Sequence, residues 1–278
     1  MYHHVKKLMY NVRVDTPNVR FGNMLLEQFG GANGELAAAM QYTVQGWNCV
    51  DDIARRDLLL DIGTEELSHL EVVGALIRMH LKELKTDREA AEADPLVTIA
   101  GGGGVGLFDS MGNAWTANYL KVTGELDVDL RSNIAAESRA KIVYERLLDH
   151  TDDPGTIDTL QFLMTREITH MKAFTAALES LEKPIFAIGR LRPTPGIVDE
   201  YFNGSTGEGN EGDTDMHGPW QTSFGLHPVE SELKGGSGLS VDEINGVVPG
   251  EERGKQDAAR TTTTAPSKDE LVGAAASR

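Results

Sequence analysis

Six side chains in this chain recur in one pattern. Glu35 is followed by Glu66 and His69, and Glu137 is followed by Glu167 and His170. The lone Glu precedes the paired Glu by 31 residues in the first copy and by 30 in the second. The two members of each E-x-x-H pair stand three residues apart, so on a helix they project from one face. Four carboxylates and two imidazoles on four helices can surround two metal ions, as in a carboxylate-bridged dinuclear centre inside a four-helix bundle. One E-x-x-H could fall on any helix surface by chance. Two, each with a matched upstream Glu and apolar flanks, call for a common cause.

The flanking residues predict the elements that would hold these groups. A first helix is predicted from about Asn18 to Trp47, with Gly30, Gly31 and Gly34 inside it. Glycine weakens a helix interior, so these positions imply a close approach by a neighbouring helix or by a metal cluster beside Glu35. A second helix is predicted from Val50 to Leu84, with Leu59, Ile62, Glu66, His69, Val73, Leu76 and His80 along one stripe. Residues 86–122 break the pattern at Asp94-Pro95 and at the run Gly101 to Gly104, and read as a long crossover with a short helix near Ala114 to Lys121. A bundle whose second and third helices run parallel requires such a crossover. The third helix is predicted from Asp127 to Asp149, its inner side marked by Ile134, Glu137, Ile142, Tyr144 and Leu148. Asp153-Pro154 signals the start of a fourth, from Gly155 to Leu181, with Leu160, Leu163, Glu167, His170, Phe174 and Leu178 inward.

The fold class is therefore all-α: a four-helix bundle with a long crossover between helices two and three and an extended, irregular C-terminal arm. The domain reading is a bundle over 1–190, an arm packing between subunits over 191–248, and a disordered tail over 249–278. Residues 200–278 carry 14 acidic and 6 basic side chains, so nearly half of the net charge of −17 sits there. That acidity argues against nucleic acid and anionic membranes as partners. No stretch has the apolar length of a membrane span, and the basic N-terminus lacks the apolar run of a secretory signal. The single cysteine, Cys49, permits no internal disulfide and suits a reducing cytoplasm. Oxygen and imidazole donors without thiolate suit manganese or iron rather than copper(I) or an iron–sulfur cluster. Glu65, beside Glu66, points to a different face and reads as an outer group supporting the ligands, and His80 reads as a hydrogen-bonded core histidine.

Glu35 to Tyr42 (ELAAAMQY), Glu65 to His69 (EELSH), Asn133 to Glu137 (NIAAE) and Glu167 to His170 (EITH) together resemble the manganese catalases, haem-free enzymes with the ferritin-like four-helix fold. The resemblance implies two manganese ions per subunit, one bound by Glu35 and His69, the other by Glu137 and His170, with Glu66 bridging. It implies that Glu167 sits just outside the metals as proton carrier, and that Tyr42 bonds to the bridging carboxylate. It also implies a calcium site at a subunit interface, with Asp57 and Asp61 on the second helix and Asn203, Ser205 and Gly207 in the arm; oxygen-only donors suit that cation. Some family members place a basic side chain near the substrate channel. Arg139, Lys141 and Arg166 are nearest in sequence, and none is assigned to that place. The implied activity is disproportionation of hydrogen peroxide to dioxygen and water by a cytoplasmic homohexamer. The competing readings are a di-iron ferroxidase or oxygen-activating ferritin-like protein, and a non-enzymatic structural or metal-storage assembly.

Overall fold

In the computed structural model, the residues described are 4–82, 88–93, 98–99, 101–182, 188–189, 200–203 and 225–228. The chain divides into two compact units, Met1–Ile188 and Gly189–Arg278. Most of the predicted arm and the whole predicted tail lie outside the described residues.

The first unit is the bundle. The predicted first helix is three pieces: α1 (Val19–Met24), α2 (Leu26–Gly30) and α3 (Glu35–Asn48). Gly31 leaves α2 with an extended backbone and Gly34 is the N-cap of α3, so the glycines interrupt the helix rather than decorate it. Gly30 is small because the crossover lies on it: a Cβ there would stand 2.5 Å from the backbone oxygen of Phe108. The cause is thus the crossover, not a helix or a metal cluster. α4 (Ile53–His80) starts at Asp52, whose carboxylate accepts from the Arg55 amide at 3.0 Å. α5 (Arg88–Ala93) lies in the crossover, and in place of the short helix predicted near Ala114 there is one 3₁₀ turn, Ala117–Tyr119. α6 (Leu126–Leu148) and α7 (Pro154–Glu179) follow, the latter with Pro at its first position and Asp153 as its cap.

Contacts along α4 fix its direction. Arg55 donates to the Ala177 and Ser180 carbonyls, Arg166 meets Glu65, and His80 meets Thr156, so residue numbers rise along α4 as they fall along α7. The short α6–α7 turn makes those two helices antiparallel, and α4 is therefore parallel to α6, as a long crossover demands. Gly63 lets α3 and α4 approach closely, since a Cβ there would meet the Thr43 amide nitrogen at 3.1 Å. Among the described residues no helix is long and apolar enough to cross a membrane.

Two apolar clusters fill the bundle. One gathers Phe21, Leu25, Leu76, Ile77, Tyr144 and Leu160; the other gathers Tyr42, Leu59, Ile62, Leu130 and Phe174. Ile142, predicted inward, is 38% exposed because α6 turns that face to water. A buried amide network ties the crossover to the bundle. Asn133 Oδ1 accepts from Gln41 and Gln45 at 2.9 Å each, Gln45 also donates to the Lys121 carbonyl, and Gln41 accepts from the Lys121 amide. Asn133 lies one turn before Glu137, so the network also sets the register of α6 against α3.

In the second unit, β1 (Glu200–Asn203) and β2 (Gly225–Pro228) form a parallel pair, Glu200 opposite Gly225. The arm was expected to hold little regular structure. Four-residue strands that pair across a long intervening segment leave no local periodicity to read.

His80 is fully buried. Its Nδ1 accepts from the Asn18 amide at 3.0 Å, which makes Nε2 the donor to Thr156 Oγ1, and Thr156 in turn donates to Asp153. Burial lowers the imidazole pKa to about 4. Unfolding restores a value near 6.5, so the unfolded chain binds the proton first as pH falls. This contribution is whole above pH 6.5 and is lost between there and about 4. Urea unfolding should therefore show His80→Gln losing about 2 kcal/mol less than the parent protein between pH 6.5 and 4.5.

Candidate metal centre

All six residues of the repeat converge between the two apolar clusters, each at most 2% exposed. Glu35 opens the first turn of α3, where the helix N-terminus favours negative charge. Glu66 and His69 come from the middle of α4, Glu137 from α6, and Glu167 and His170 from α7.

Glu66 is central. Its Oε2 lies 2.9 Å from His69 Nδ1 and its Oε1 lies 2.7 Å from His170 Nδ1, so each oxygen serves one histidine. Glu35 Oε2 stands 3.5 Å from His69 Nδ1, and Glu137 Oε2 stands 3.9 Å from His170 Nδ1. Glu167 Oε1 is 3.6 Å from His69 Nδ1. One donor atom each from Glu66, His69, Glu167 and His170 lies within 4.8 Å of the others, close enough to share one cation. That proximity alone does not separate a ligand from an adjacent acid, so Glu167 is within reach of either role.

The electrostatics are those of an acid cluster short of positive charge. Burial, and then the charge of Glu66, raises Glu35 to about 7 and Glu137 to about 8. Burial and then Glu35, Glu66 and Glu137 push Glu167 well above the carboxylate range. Burial works to raise Glu66 as well, but the imidazoles of His170 and His69 outweigh it and hold that carboxyl below its usual range. The same burial opposes charge on His69, yet contacts with Glu35, Glu65 and Glu66 carry it up to about 12. Both oxygens of Glu137 and of Glu167, and Oε2 of Glu35, have no hydrogen-bond partner among the described residues. Buried acceptors are normally paired, and unpaired carboxylates are costly. Two divalent cations would balance the four carboxylates and engage these lone pairs, so the donor set fits a dinuclear metal centre.

Two tyrosines flank the cluster. Tyr144 donates to Glu35 Oε1. Tyr42 is fully buried and its hydroxyl has no aligned hydrogen-bond partner among the described residues, while burial and then the charges of Glu137 and Glu66 push its pKa well above the ordinary value. Sequence reasoning gave Tyr144 no functional part. The repeat carried the signal, because Tyr42 follows Glu35 by seven residues and Tyr144 follows Glu137 by the same step.

A small open recess between the start of α3 and α6 is lined by Asn33, Ala37, Tyr42, Tyr119, Ala136 and Arg139. Of the three basic residues near the site in sequence, Arg139 lines this recess and donates to Asn33 Oδ1 at 2.9 Å. Lys141 instead pairs with Glu145, and Arg166 with Glu65 at 2.7 Å. Asp57 and Asp61 are exposed one turn apart on α4, Asp57 beside Arg56. Asn203 is placed in β1, while Ser205 and Gly207 lie outside the described residues.

The family model described as manganese containing catalase matches residues 1–242. A Clostridium acetobutylicum protein named "Probable manganese catalase" is 42% identical over 185 residues, spanning 66% of this chain and 81% of its own. Protein CotJC of Bacillus subtilis is 39% identical over 187 residues, spanning 66% of this chain and 96% of its own. The crystal structure of KatB, a manganese catalase from Anabaena, superposes with a TM-score of 0.72 at 40% identity, over 82% of this chain and 99% of that one. Fold, buried Glu and His set, and sequence likeness converge: the chain belongs to the manganese-containing catalase family.

Proposed function

We propose that the protein is a dimanganese catalase converting two hydrogen peroxide molecules to dioxygen and two waters. One observation carries this: Glu66 gives one oxygen to each of two buried imidazoles, while Glu137 and Glu167 present unpaired oxygens to the same space. In this reading Glu35 and His69 would hold one manganese, Glu137 and His170 the other, and Glu66 would serve both. The metal pair supplies two coupled one-electron centres, so that one peroxide loses two electrons and the next gains them. The protein's part is to position and to carry protons. Peroxide oxidation releases two protons, and O–O cleavage to water consumes two. Glu167, buried and held toward its protonated form by its acidic neighbours, is placed to accept and return a proton at a carboxylate oxygen. The recess lined by Tyr42 and small alanine side chains is assigned as the side from which peroxide would approach.

The family background favours an oligomer, and we assign the arm to subunit packing within a hexamer. Asp57 and Asp61, with Asn203, Ser205 and Gly207, are proposed as calcium ligands there, on the strength of their oxygen donors and the exposed pairing of the two aspartates on α4. The lone cysteine is in keeping with a reducing cytoplasm.

Oxygen evolution from hydrogen peroxide by manganese-supplied, haem-free protein is the deciding assay. Activity should be absent from Glu66→Ala and lowered about 10²- to 10⁴-fold in Glu167→Gln with both ions retained. No oxygen from protein carrying two manganese ions per chain would end the catalase proposal. Tyr144→Phe, which takes the donor from Glu35, should weaken manganese retention against a chelator by about 10-fold or more, whereas Tyr42→Phe should not. Calcium chelation should shift the light-scattering mass of the assembly downward. A mass unmoved by chelation, or moved equally in Asp57→Ala/Asp61→Ala protein, would count against the calcium site.

A further inference from the structure

The two imidazoles of the centre lie nearly parallel, with ring centroids 5.4 Å apart and planes 18° from one another. Their Nδ1 atoms both turn inward to Glu66. Their Nε2 atoms turn the other way, and both are buried without an aligned hydrogen bond. Each of those nitrogens faces one oxygen of a single carboxylate: His69 Nε2 lies 3.4 Å from Glu65 Oε1, and His170 Nε2 lies 3.3 Å from Glu65 Oε2. Behind Glu65 stands Arg166, whose Nε donates to Oε1 at 2.7 Å and whose Nη2 reaches Oε2 at 3.4 Å. Glu65 is the one residue that reaches both rings on their outer side among the described contacts.

The internal repeat explains how this arrangement arises. Glu65 immediately precedes Glu66 on α4, and Arg166 immediately precedes Glu167 on α7. The two are therefore equivalent positions in the two copies, brought face to face by the antiparallel crossing of α4 and α7. Two acids there would repel and two arginines would do the same. One of each makes a forked ion pair of matched geometry.

We propose that Glu65 and Arg166 form one clamp that sets both metal-binding histidines at once. The guanidinium fixes the plane of the Glu65 carboxylate. The carboxylate gives one oxygen to each Nε2–H, so that each Nδ1, which lies beside Glu66 in this structure, is the nitrogen that would be presented to a metal. Ligand histidines generally pass their second ring nitrogen to a carboxylate or carbonyl, which fixes ring orientation and basicity. Here one carboxylate does this for both rings, so the two metal positions share a single support. Glu65 and Arg166 touch neither substrate nor metal and act as positioning residues. The inference rests on reading His69 and His170 as metal ligands.

The test measures manganese(II) affinity by chelator competition, and ions per chain, for the full-length protein and for Glu65→Gln, Arg166→Ala and Arg166→Lys. Unfolding midpoints of the metal-free forms are taken alongside. The parent should hold two ions. Glu65→Gln and Arg166→Ala should lose affinity at both positions together by about 10- to 100-fold, with Arg166→Lys between them and the parent. The metal-free midpoints should stay unchanged, which a merely structural role would not allow. Wild-type affinity in Glu65→Gln, loss confined to one ion, or loss that tracks a fallen metal-free midpoint would each overturn the clamp while leaving the dimanganese proposal standing. Failure of the parent to bind manganese would remove that proposal and the clamp with it. If Glu65→Gln does not fold, Arg166→Ala decides by the same criteria.

Discussion

Four carboxylates inside a helical bundle are the constraint from which the rest of this structure follows. Glu35, Glu66, Glu137 and Glu167 are withdrawn from water between two layers of apolar side chains. Removing a charge from water costs several kcal/mol unless opposite charge and hydrogen bonds replace the solvent. Protein groups supply part of that replacement: the imidazoles beside Glu66, the Tyr144 hydroxyl on Glu35, and the N-terminal end of α3. The remainder is a set of unengaged oxygens aimed at one small volume, and that unmet demand defines the space for two cations.

The bundle meets this constraint twice over with near-identical hairpins, and its departures from symmetry are as informative as the repeat. Tyr42 and Tyr144 occupy matching positions, yet Tyr144 bonds to Glu35 while the Tyr42 hydroxyl has no aligned hydrogen-bond partner among the described residues. Tyr42 also lines the recess between the start of α3 and α6, and Tyr144 is not among the residues lining it. Glu65 and Arg166 likewise occupy matching positions with opposite charge. A strictly duplicated sequence would put like charges there.

Much of this was legible in the sequence because it is written in helical periods. The spacing of Leu59, Ile62, Glu66, His69, Val73 and Leu76 marks one buried face, and every one of these is buried. The parallel course of α4 and α6 followed from the length of the segment between them. What the pattern hid depends on contacts distant in sequence. The breaks at Gly31 and Gly34 follow from where the chain must turn to let Phe108 lie on Gly30. The Asn133 amide network joins residues about ninety positions apart, and nothing local in Gln41 or Gln45 announces it. The strands Glu200–Asn203 and Gly225–Pro228 are too short to show alternation and pair only through their separation. Tyr144 and the Glu65–Arg166 pair were open to reading, but only by laying one copy of the repeat over the other.

The division of the six buried residues between two hairpins also ties the cluster to the docking of those hairpins. The α3–α4 hairpin carries Glu35, Glu66 and His69, and the α6–α7 hairpin carries Glu137, Glu167 and His170. Apart from each other, each presents its acids to water, which solvates them well. Only with the hairpins docked are all four sealed in together, so the demand for compensating charge belongs to the docked state. Cations binding there would therefore be coupled to that docking, their binding free energy counted as folding free energy. Without the ions the same docked arrangement would stand with its acids uncompensated, and its stability would be lower by the binding free energy it forgoes.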